Sequence, residues 1–515
     1  KLVFDVGCPA LAKRLLADGE FATGQVDQRY FADFEVYHRL VTSVEAREVW
    51  VVGDLSSDIG FLRLYDAASA ASDEDALRLT IAGAFCGKES AFQRRVRRRA
   101  FASIPQAPRG NRLAVCDLDS SEAPQFEHFS GHTSGCDPRR RQAALELANP
   151  SAAKLVLSVS SYDFLADRIV AAGGGQLERG QVTRTKREAT NPDEFERRLL
   201  MNRFQKKDKP LSDQELLALS AESDNNPHEV AHPLSAREPF SKLKTPVAGR
   251  HVVIVAGTIN DPDTMDLLRL ANAVYEGGAL SITMVVPYYG YSTMERKAKP
   301  GEAIKAKIRA RLLSSVPRCP MGNRIVLCDL HAEAMPGCFE GGLKPVHLYC
   351  GKVIVKRLAG ESPNWVLASA DINRIKWVES MAKDGGVDTA YTLKVRKDGV
   401  TRVVGRVGDV TGRAVRMFDD IIRTGGSADG AAGGYLVDGG AASVDMIATH
   451  GAMPGGALAR LEKSGNFRQV IVTDTHPRAV QLAAQYPQFL RVESVADIIV
   501  DHLLGRGFFA TRTLS

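Results

Sequence analysis

The chain has 515 residues, of which 44% are hydrophobic and 25% are charged, and its formal net charge is +6 at pH 7. A chain of this length should hold two to four domains, each with an ordinary buried core. So mild a positive charge suits anionic metabolites and does not argue for nucleic acid, and no apolar run approaches the ~20 residues that a membrane span needs.

Cysteine usage predicts an intracellular protein. The eight cysteines form no Cys-x-x-Cys pair and several lie in apolar runs, so we expect reduced, buried thiols. The expected compartment is the cytoplasm, or an organelle such as the mitochondrion if a leader was removed before Lys1. A basic run at residues 94–99 is interpreted as a solvated helix face.

Two parts of the chain repeat one another. Residues 105–118 and 317–330 share Pro, Pro, Gly-Asn-Arg and Cys-Asp-Leu at one constant offset. Chance repetition of that pattern is very rare. We therefore predict that residues 1–150 are a diverged copy of residues 154–345.

The second copy is interrupted by a polar segment at about residues 185–240. The segment contains one well-signalled helix, with Ser212 as its N-cap and Glu215 at the capping-box position. Its charges are mixed, and the first copy lacks it. We interpret it as a surface excursion or a docking arm and not as a catalytic part.

Strand-like and helical stretches alternate through the rest of the second copy. Runs rich in β-branched residues at 251–256, 281–287 and 324–328 alternate with helical stretches at 265–275 and 303–314. Such alternation indicates an α/β protein with parallel, doubly wound sheets.

A further domain is predicted at residues 346–490, with a closing helix at 491–505 that returns to the sheet. Within it an apolar strand ends in Asp419 and Asp420, and a small-residue turn follows before alanines that can begin a helix. Backbone N–H groups of such a turn can bind a phosphate, while the carboxylates can take sugar hydroxyls. The alternative is a surface turn with solvated acids. The turn residues are Thr424, Gly425, Gly426 and Ser427.

Four more segments accompany this turn in a fixed order. They are Tyr-Tyr-Gly-Tyr at 288–291 followed by Glu295-Arg296-Lys297, Cys-Asp-Leu-His at 328–331, Thr-His-Gly at 449–451 and Val-Thr-Asp-Thr at 472–475. Together the five segments resemble the ribose-phosphate pyrophosphokinase (PRPP synthetase) family, nearest its plant-type second class. The resemblance covers about residues 154–510, with a half-length second match over 1–150.

The resemblance implies tandem type I phosphoribosyltransferase-like doubly wound parallel sheets and a diphosphate transfer from Mg-ATP to ribose 5-phosphate. It implies that Asp419 and Asp420 hold the ribose hydroxyls and that residues 424–427 cradle the 5-phosphate. It also implies the remaining roles: Lys394 and Arg396 in catalysis, Glu295 and Arg296 in ATP binding, and Asp329, His331 and Asp371 around Mg²⁺.

In the family, a hairpin crosses a dimer to reach the ATP site of the neighbouring subunit. The second copy lacks this segment, whereas the first keeps a similar one in Phe31, Asp33 and Glu35. Our hypothesis is that the first copy packs on the second as a neighbouring subunit would and supplies these residues to the ATP site in cis.

Several departures from the family pattern keep a second hypothesis open. The first copy has Asp119 where the histidine is expected, so we predict that it is inactive. In the second copy and the further domain, Thr293, Met294, Arg416 and Arg423 also depart from the pattern. The alternative function is therefore that of a catalytically lapsed homologue, a scaffold subunit of a larger assembly. For an active enzyme we expect a homo-oligomer or a subunit of a larger complex, and a true phosphoribosyltransferase is the least favoured alternative.

Overall fold

The computed structural model describes most of the chain outside the polar segment. The described residues are 1–17, 19–30, 35–55, 57–85, 91–117, 125–128, 138–148, 152–184, 241–361, 364–369, 375–397, 400–506 and 511–512. Three open sheets with helices on their faces confirm the predicted α/β fold. Within these ranges no helix combines the length and the apolar character needed to cross a membrane.

The amino-terminal region (residues 1–150) forms a six-stranded sheet in the order β2-β1-β5-β6-β7-β8 and a separate hairpin of β3 and β4. All neighbours in the sheet are parallel except β7 and β8. The strands are β1 (Leu2–Asp5), β2 (Ala22–Thr23), β3 (Val26–Tyr30), β4 (Val36–Leu40), β5 (Glu48–Asp54), β6 (Arg78–Phe85), β7 (Asn111–Asp117) and β8 (Gln125–His128). The helices are α1 (Pro9–Ala17), α2 (Asp58–Asp73), α3 (Ala91–Ala102) and α4 (Pro138–Glu146).

The middle region (residues 154–345) forms a second sheet in the order β10-β9-β13-β14-β15-β16, and its strand β16 extends a few residues past the end of the region. The first sheet has the same order, except that its last strand, β8, is antiparallel to its neighbour while β16 is parallel. The duplication itself stays a prediction. The strands are β9 (Lys154–Ser158), β10 (Leu177–Arg179), β11 (Val182–Arg184), β12 (Ser241–Leu243), β13 (His251–Val255), β14 (Ser281–Val286), β15 (Asn323–Cys328) and β16 (Leu343–Leu348). The helices are α5 (Asp163–Gly173), α6 (Asp261–Glu276) and α7 (Lys305–Ser314).

The carboxyl-terminal region (residues 346–505) forms a third sheet in the order β19-β18-β17-β20-β21-β22-β23, in which only the pair of β18 and β19 is antiparallel. The helices are α8 (Cys350–Glu361), α9 (Ile375–Gly385), α10 (Gly426–Val437), α11 (Ala457–Ser464), α12 (Pro477–Ala483) and α13 (Ala496–Leu504). The strands are β17 (Trp365–Ser369), β18 (Asp388–Lys397), β19 (Val400–Val407), β20 (Ala414–Ile422), β21 (Ser443–Gly451), β22 (Gln469–Thr473) and β23 (Leu490–Glu493).

The last helix and the last strand of the described chain pack on the second sheet. Helix α13 packs against α5, and Ile499 of α13 is fully buried in the core of that sheet. A short last strand, β24 (Thr511–Arg512), pairs antiparallel with β16. The first two sheets share one continuous apolar core, whereas the third sheet has a separate core on each face.

Helix α6 begins four residues before the stretch that the periodicity predicted. The side chain of Asn260 caps it by accepting a hydrogen bond from the N–H of Asp263 at 2.8 Å, and a proline occupies the first turn. Both are strong start signals that a search for apolar periodicity overlooks, because they precede the first apolar residue.

Helices α2 and α3 of the amino-terminal region pack on α6 and α7 of the middle region. Asp73 and Glu276 are each the last residue of a 16-residue helix, α2 and α6 respectively. Asp73 lies 3.1 Å from Arg311 and 3.6 Å from Lys307. In the same arrangement Glu276 pairs with two arginines of α3, Arg95 at 2.7 Å and Arg99 at 3.3 Å.

The basic run at 94–99 therefore belongs in part to this interface. Its interpretation as a solvated helix face was wrong for Arg97 and Arg99. Arg97 is buried against the ring of Phe61, and Arg99 donates a hydrogen bond to the side-chain oxygen of Asn272 at 2.6 Å.

Candidate functional site

Strand β20 places the two adjacent carboxylates at its carboxyl end. It runs parallel between β17 and β21, and its residues before the acids are buried. The acids therefore lie at the end of the sheet where the parallel strands have their carboxyl ends. Asp419 is half-buried and Asp420 is buried. The N–H of Asp420 donates to a carboxylate oxygen of Asp419 at 2.9 Å, which fixes their relative orientation.

The turn after β20 is shorter than predicted. Only residues 423–425 separate the strand from α10, so Gly426 and Ser427 already belong to the first helical turn. Gly425 is the N-cap residue and has φ +77°, a left-handed conformation that favours glycine. Thr424 and Gly426 are exposed.

The start of α10 is suited to an anion. Within the described residues no side chain caps it, and the first N–H groups of a helix lack partners inside the helix. Those N–H groups and the helix dipole favour negative charge there. The phosphate loop (residues 424–427) thus combines a short turn with the first helical residues, and its binding of a phosphate stays a prediction.

His331, predicted near a metal, lies against the acid pair. Its Nδ1 is 2.7 Å from a carboxylate oxygen of Asp420. His331 follows β15 of the second sheet and Asp420 lies near the carboxyl end of β20 of the third sheet, so the contact joins the carboxyl ends of strands from two sheets. The sequence predicted separate roles for these residues and not their contact.

Asp329 lies deeper than a metal ligand is expected to lie. Its side chain is 1% exposed, and one carboxylate oxygen accepts hydrogen bonds from the N–H of Gly351 at 2.6 Å and from the hydroxyl of Thr449. The other oxygen is buried with no hydrogen-bond partner among the described residues. Burial raises the pKa of Asp329 to about 7, although the hydrogen bonds from Thr449 and Gly351 oppose the rise.

The described residues do not form a resident metal site. Across the described ranges, no three His, Cys, Asp or Glu side chains are grouped so that they could hold an ion. Asp329 is directed into the protein, and one ring nitrogen of His331 is already engaged. Asp371, the third predicted ligand, lies outside the described residues. Bound Mg²⁺ at this triad therefore stays a prediction.

The predicted ATP-binding residues lie in the long connection between β14 and α7. Glu295 is half-buried and Arg296 is exposed, and Arg296 Nε lies 3.8 Å from a carboxylate oxygen of Glu295. Phe31 and Asp33 lie outside the described residues. Glu35 is described and is 2% exposed.

The hairpin of the amino-terminal region does lie against this connection. In β4, the N–H of Leu40 donates to the carbonyl of Gly301 at 2.8 Å, and the carbonyl of His38 accepts from the N–H of Ala303 at 2.9 Å. The hydroxyl of Tyr37 donates to Glu302 at 2.7 Å. Contact between the two predicted copies is thus present, and the supply of ATP-binding residues in cis stays a prediction.

The predicted catalytic residues Lys394 and Arg396 lie on an edge hairpin. Their backbones belong to β18, where Lys394 opposes Val403 and Arg396 opposes Thr401 of β19, and the pairing is irregular between Leu393 and Lys394. The catalytic roles stay predictions.

Arg416, which the sequence flagged as costly inside an apolar strand, is paired. Its Nε lies 3.5 Å from a carboxylate oxygen of Asp445, and Nη1 donates to the carbonyl of Leu358 at 3.2 Å. The guanidinium also lies 4.6 Å from the ring centroid of Trp365. The charge is therefore compensated where it is buried.

Four contacts behind the acid pair were not foreseen. Ring nitrogens of His450 lie 2.9 Å from the hydroxyl of Thr475 and 3.2 Å from the carbonyl of Asp329. The hydroxyl of Tyr162 donates to the carbonyl of Thr475 at 2.8 Å, and Arg168 pairs with Asp474 at 2.6 Å. All but the first of these contacts join the second and third sheets. The only sequence signal was the row of polar residues at the ends of β21 and β22.

Two family models match the chain. One is described as the N-terminal domain of ribose phosphate pyrophosphokinase and matches residues 223–316. The other is described as the phosphoribosyl synthetase-associated domain and matches residues 371–501. The first match begins inside the polar segment at about 185–240, whose interpretation as an insertion stays a prediction.

Individual proteins that resemble this chain carry the same family name. The ribose-phosphate pyrophosphokinase of Brucella melitensis is 31% identical over 269 residues, which are 51% of this chain and 83% of that protein. The chloroplastic ribose-phosphate pyrophosphokinase 2 of Arabidopsis thaliana is 33% identical over 270 residues, 51% of this chain and 64% of that protein. The crystal structure of phosphoribosylpyrophosphate synthetase from Mycobacterium smegmatis is similar with a TM-score of 0.51 and 25% identity, over 69% of this chain and 100% of that one.

Proposed function

The chain belongs to the ribose-phosphate pyrophosphokinase family, and we propose that it transfers the diphosphate group of Mg-ATP to the C1 hydroxyl of ribose 5-phosphate, giving PRPP and AMP. The observation that carries the proposal is the acid pair of β20 followed directly by the uncapped start of α10. This arrangement offers acceptors for two hydroxyls and donors for one phosphate within a few residues, as a phosphorylated sugar requires.

On the sugar side, Asp419 and Asp420 would accept hydrogen bonds from the ribose 2- and 3-hydroxyls. The N–H groups of residues 424–427 would donate to the 5-phosphate. His331 would orient Asp420 through the 2.7 Å contact and so fix the direction of its acceptor oxygens. The contact is compatible with the predicted place of His331 near Mg²⁺, because a metal-binding histidine commonly contacts a carboxylate through its other ring nitrogen.

At the reacting atoms, the oxygen of the C1 hydroxyl would form a bond to the β-phosphorus of ATP. The bond from this phosphorus to the bridging oxygen of the α-phosphate would break, AMP would leave, and the hydroxyl would lose its proton. Such a transfer needs positioning and charge neutralisation more than covalent help. Lys394 and Arg396 would neutralise charge on the transferred group, and Glu295, Arg296, Phe31 and Asp33 would contact ATP. Mg²⁺ would arrive with ATP as part of the substrate, as it does where few protein ligands hold it.

The direct test is incubation of the protein with Mg-ATP and ribose 5-phosphate, with AMP and PRPP as the measured products. An Asp419→Asn variant keeps the acceptor for the N–H of Asp420 and removes the charge that would meet the sugar hydroxyls. We expect it to raise KM for ribose 5-phosphate by about tenfold to a hundredfold and to change KM for ATP little, since a hydrogen bond to a charged group contributes ~1.5–3 kcal/mol.

The matched control is Asp438→Asn, the same chemical change at an exposed residue beyond the other end of α10. Equal effects of the two substitutions on KM for ribose 5-phosphate would contradict the proposed role of Asp419. Formation of neither product by the unsubstituted protein would overturn the proposed activity itself.

A second proposal is a catalytically lapsed homologue that serves as a scaffold subunit of a larger assembly, in the cytoplasm or in an organelle. Two observations favour it: Arg423, next to the phosphate loop, already pairs with Glu35, and Asp329 is buried. The activity assay separates the two proposals, since a scaffold would form no AMP that depends on ribose 5-phosphate.

A further inference from the structure

Glu35 joins three parts of the molecule at one carboxylate. It lies directly before β4 of the amino-terminal region and is 2% exposed. One oxygen accepts a hydrogen bond from the N–H of Tyr291 in the middle region. The other lies 2.5 Å from Nη2 of Arg423 in the carboxyl-terminal region. A carboxylate this deeply buried is stable only with such donors.

The middle region holds its side of this contact firmly. Tyr291 is fully buried with φ +61°, a conformation that is uncommon for a residue with a side chain and needs support from its surroundings. Its hydroxyl donates to Asp261 at 3.0 Å, and its ring packs against the charged groups of Lys305 and Arg309. The N–H that meets Glu35 is therefore fixed in place.

The carboxyl-terminal side of the contact is the first residue after β20. Arg423 directly precedes Thr424, so an anchored Arg423 side chain restrains the chain where it enters the phosphate loop. The side chain of Arg423 is 28% exposed, and it contacts Glu35, whose side chain is buried. The amino-terminal region thus reaches the sugar-phosphate side of the candidate site through the ion pair of Glu35 with Arg423.

We propose that Glu35 is a positioning residue for the phosphate loop and that it acts through Arg423; this inference rests on the proposed function, in which the loop binds ribose 5-phosphate. It assigns Glu35 to the sugar-phosphate side, whereas the sequence predicted a contact with ATP. Its carboxylate is already shared between Tyr291 and Arg423, and a loop that is ordered before its ligand arrives binds that ligand more tightly.

A Glu35→Gln variant separates the two roles of the carboxylate. The amide oxygen of glutamine can still accept from the N–H of Tyr291, while the negative charge that holds Arg423 is lost. We expect the dissociation constant of ribose 5-phosphate, measured by titration calorimetry on the full chain, to rise about tenfold, the size of one charge-assisted hydrogen bond. KM for ATP should stay within about twofold of the parent value.

Arg423→Gln and the double variant test whether Glu35 acts through Arg423. We expect Arg423→Gln alone to weaken ribose 5-phosphate binding to the same extent, and the double variant to be no weaker than either single one, since both remove the same interaction. Glu276→Gln is the matched control. It removes the ion pairs that join the middle region to the amino-terminal region through Arg95 and Arg99, at a distance from the loop, and should leave binding of ribose 5-phosphate unchanged.

Unchanged binding of ribose 5-phosphate in Glu35→Gln, tighter binding, or additive effects in the double variant would overturn the inference. So would a rise in KM for ATP alone, which would favour the cis supply of an ATP contact. If the parent protein binds ribose 5-phosphate but forms no PRPP, the proposed activity fails while the binding measurements still decide this inference. If the parent does not bind ribose 5-phosphate at all, both fail.

Discussion

The contact between the amino-terminal and middle regions has two matching ends and an unmatched centre. At one end Asp73 of α2 meets Arg311 and Lys307 of α7. At the other end Glu276 of α6 meets Arg99 and Arg95 of α3. The offset that aligns residues 105–118 with 317–330 also aligns Arg95 with Lys307 and Arg99 with Arg311. The two ends are thus the same contact formed twice, as in a two-fold symmetric pair.

The centre breaks this relation. Asp66 and Arg269 occupy the same, ninth position of α2 and α6, yet they have opposite charges. Asp66 is fully buried between Lys305 and Arg309, which contacts it at 2.8 Å. Although burial opposes it, the positive charges of Arg309 and Lys305 hold the pKa of Asp66 well below its usual range. Arg269 instead pairs with Asp58.

If the two regions are copies, as the sequence predicts, this difference makes the surface specific for one partner. In a contact between two middle regions, Arg269 would stand where Asp66 now stands, facing Lys305 and Arg309. Three buried positive charges would then meet, at a cost of several kcal/mol. The charges at the two ends are interchangeable between the two regions, whereas those at the centre fit only the present pairing.

The largest expected effect is that of Asp66→Asn. The substitution leaves Lys305 and Arg309 buried without this carboxylate, and breaking a buried pair in this way costs about 3–5 kcal/mol. The free energy of unfolding in urea measures it. Asp75→Asn is the control, because Asp75 is exposed and its φ of +60° suits asparagine. A loss below about 1 kcal/mol at Asp66 would show that the centre is not decisive.

The two ends should differ although they match in sequence. The side chain of Arg311 is 1% exposed, whereas that of its counterpart Arg99 is 26% exposed. We therefore expect Asp73→Asn to cost about 2 kcal/mol, since a buried guanidinium loses a charged acceptor. Glu276→Gln should cost less than about 1 kcal/mol, as exposed ion pairs do. Equal costs in urea unfolding would mean that burial does not distinguish the ends.

The smallest expected effect is a change in pH dependence at His38, which lies 3.6 Å from Asp66. Burial and the charge of Lys305 lower the pKa of His38 to about 4. The unfolded chain takes up this proton near pH 6.5 and the folded chain does not, so stability falls as the pH decreases below 6.5.

Between pH 7 and 5.5 His38 should account for a loss of about 1 kcal/mol. In a His38→Gln variant, the loss measured by urea unfolding at the two pH values should be smaller by that amount. Other buried histidines contribute equally to both proteins, so the comparison isolates His38. Equal losses would show that His38 does not titrate as its burial implies.

The strand β20, its acid pair and the glycine turn after it were predictable because neighbouring residues in the sequence determine them. A run of buried residues, two carboxylates and Gly425 encode that geometry within a dozen positions. The repeat at 105–118 and 317–330 likewise predicted two similar sheets, which have the same strand order.

Contacts between distant residues could not be predicted in this way. Arg423 and Glu35 are 388 positions apart. The residues around Arg423 in the sequence do not indicate that it contacts a buried carboxylate. Arg416 looked costly because Asp445 and Trp365, which compensate its charge, lie on other strands. The depth of Asp329 depends on Thr449 and Gly351, both from later elements.

The pairing of the amino-terminal and middle regions lies within a single polypeptide, and this changes how dilution acts on it. Two separate subunits part when their concentration falls below their dissociation constant, whereas two regions of one chain meet at an effective concentration that the connecting segment determines. The contact among α2, α3, α6 and α7 therefore persists at any amount of protein in the cell. Glu35 accordingly remains beside Arg423 even in a molecule that has no neighbour.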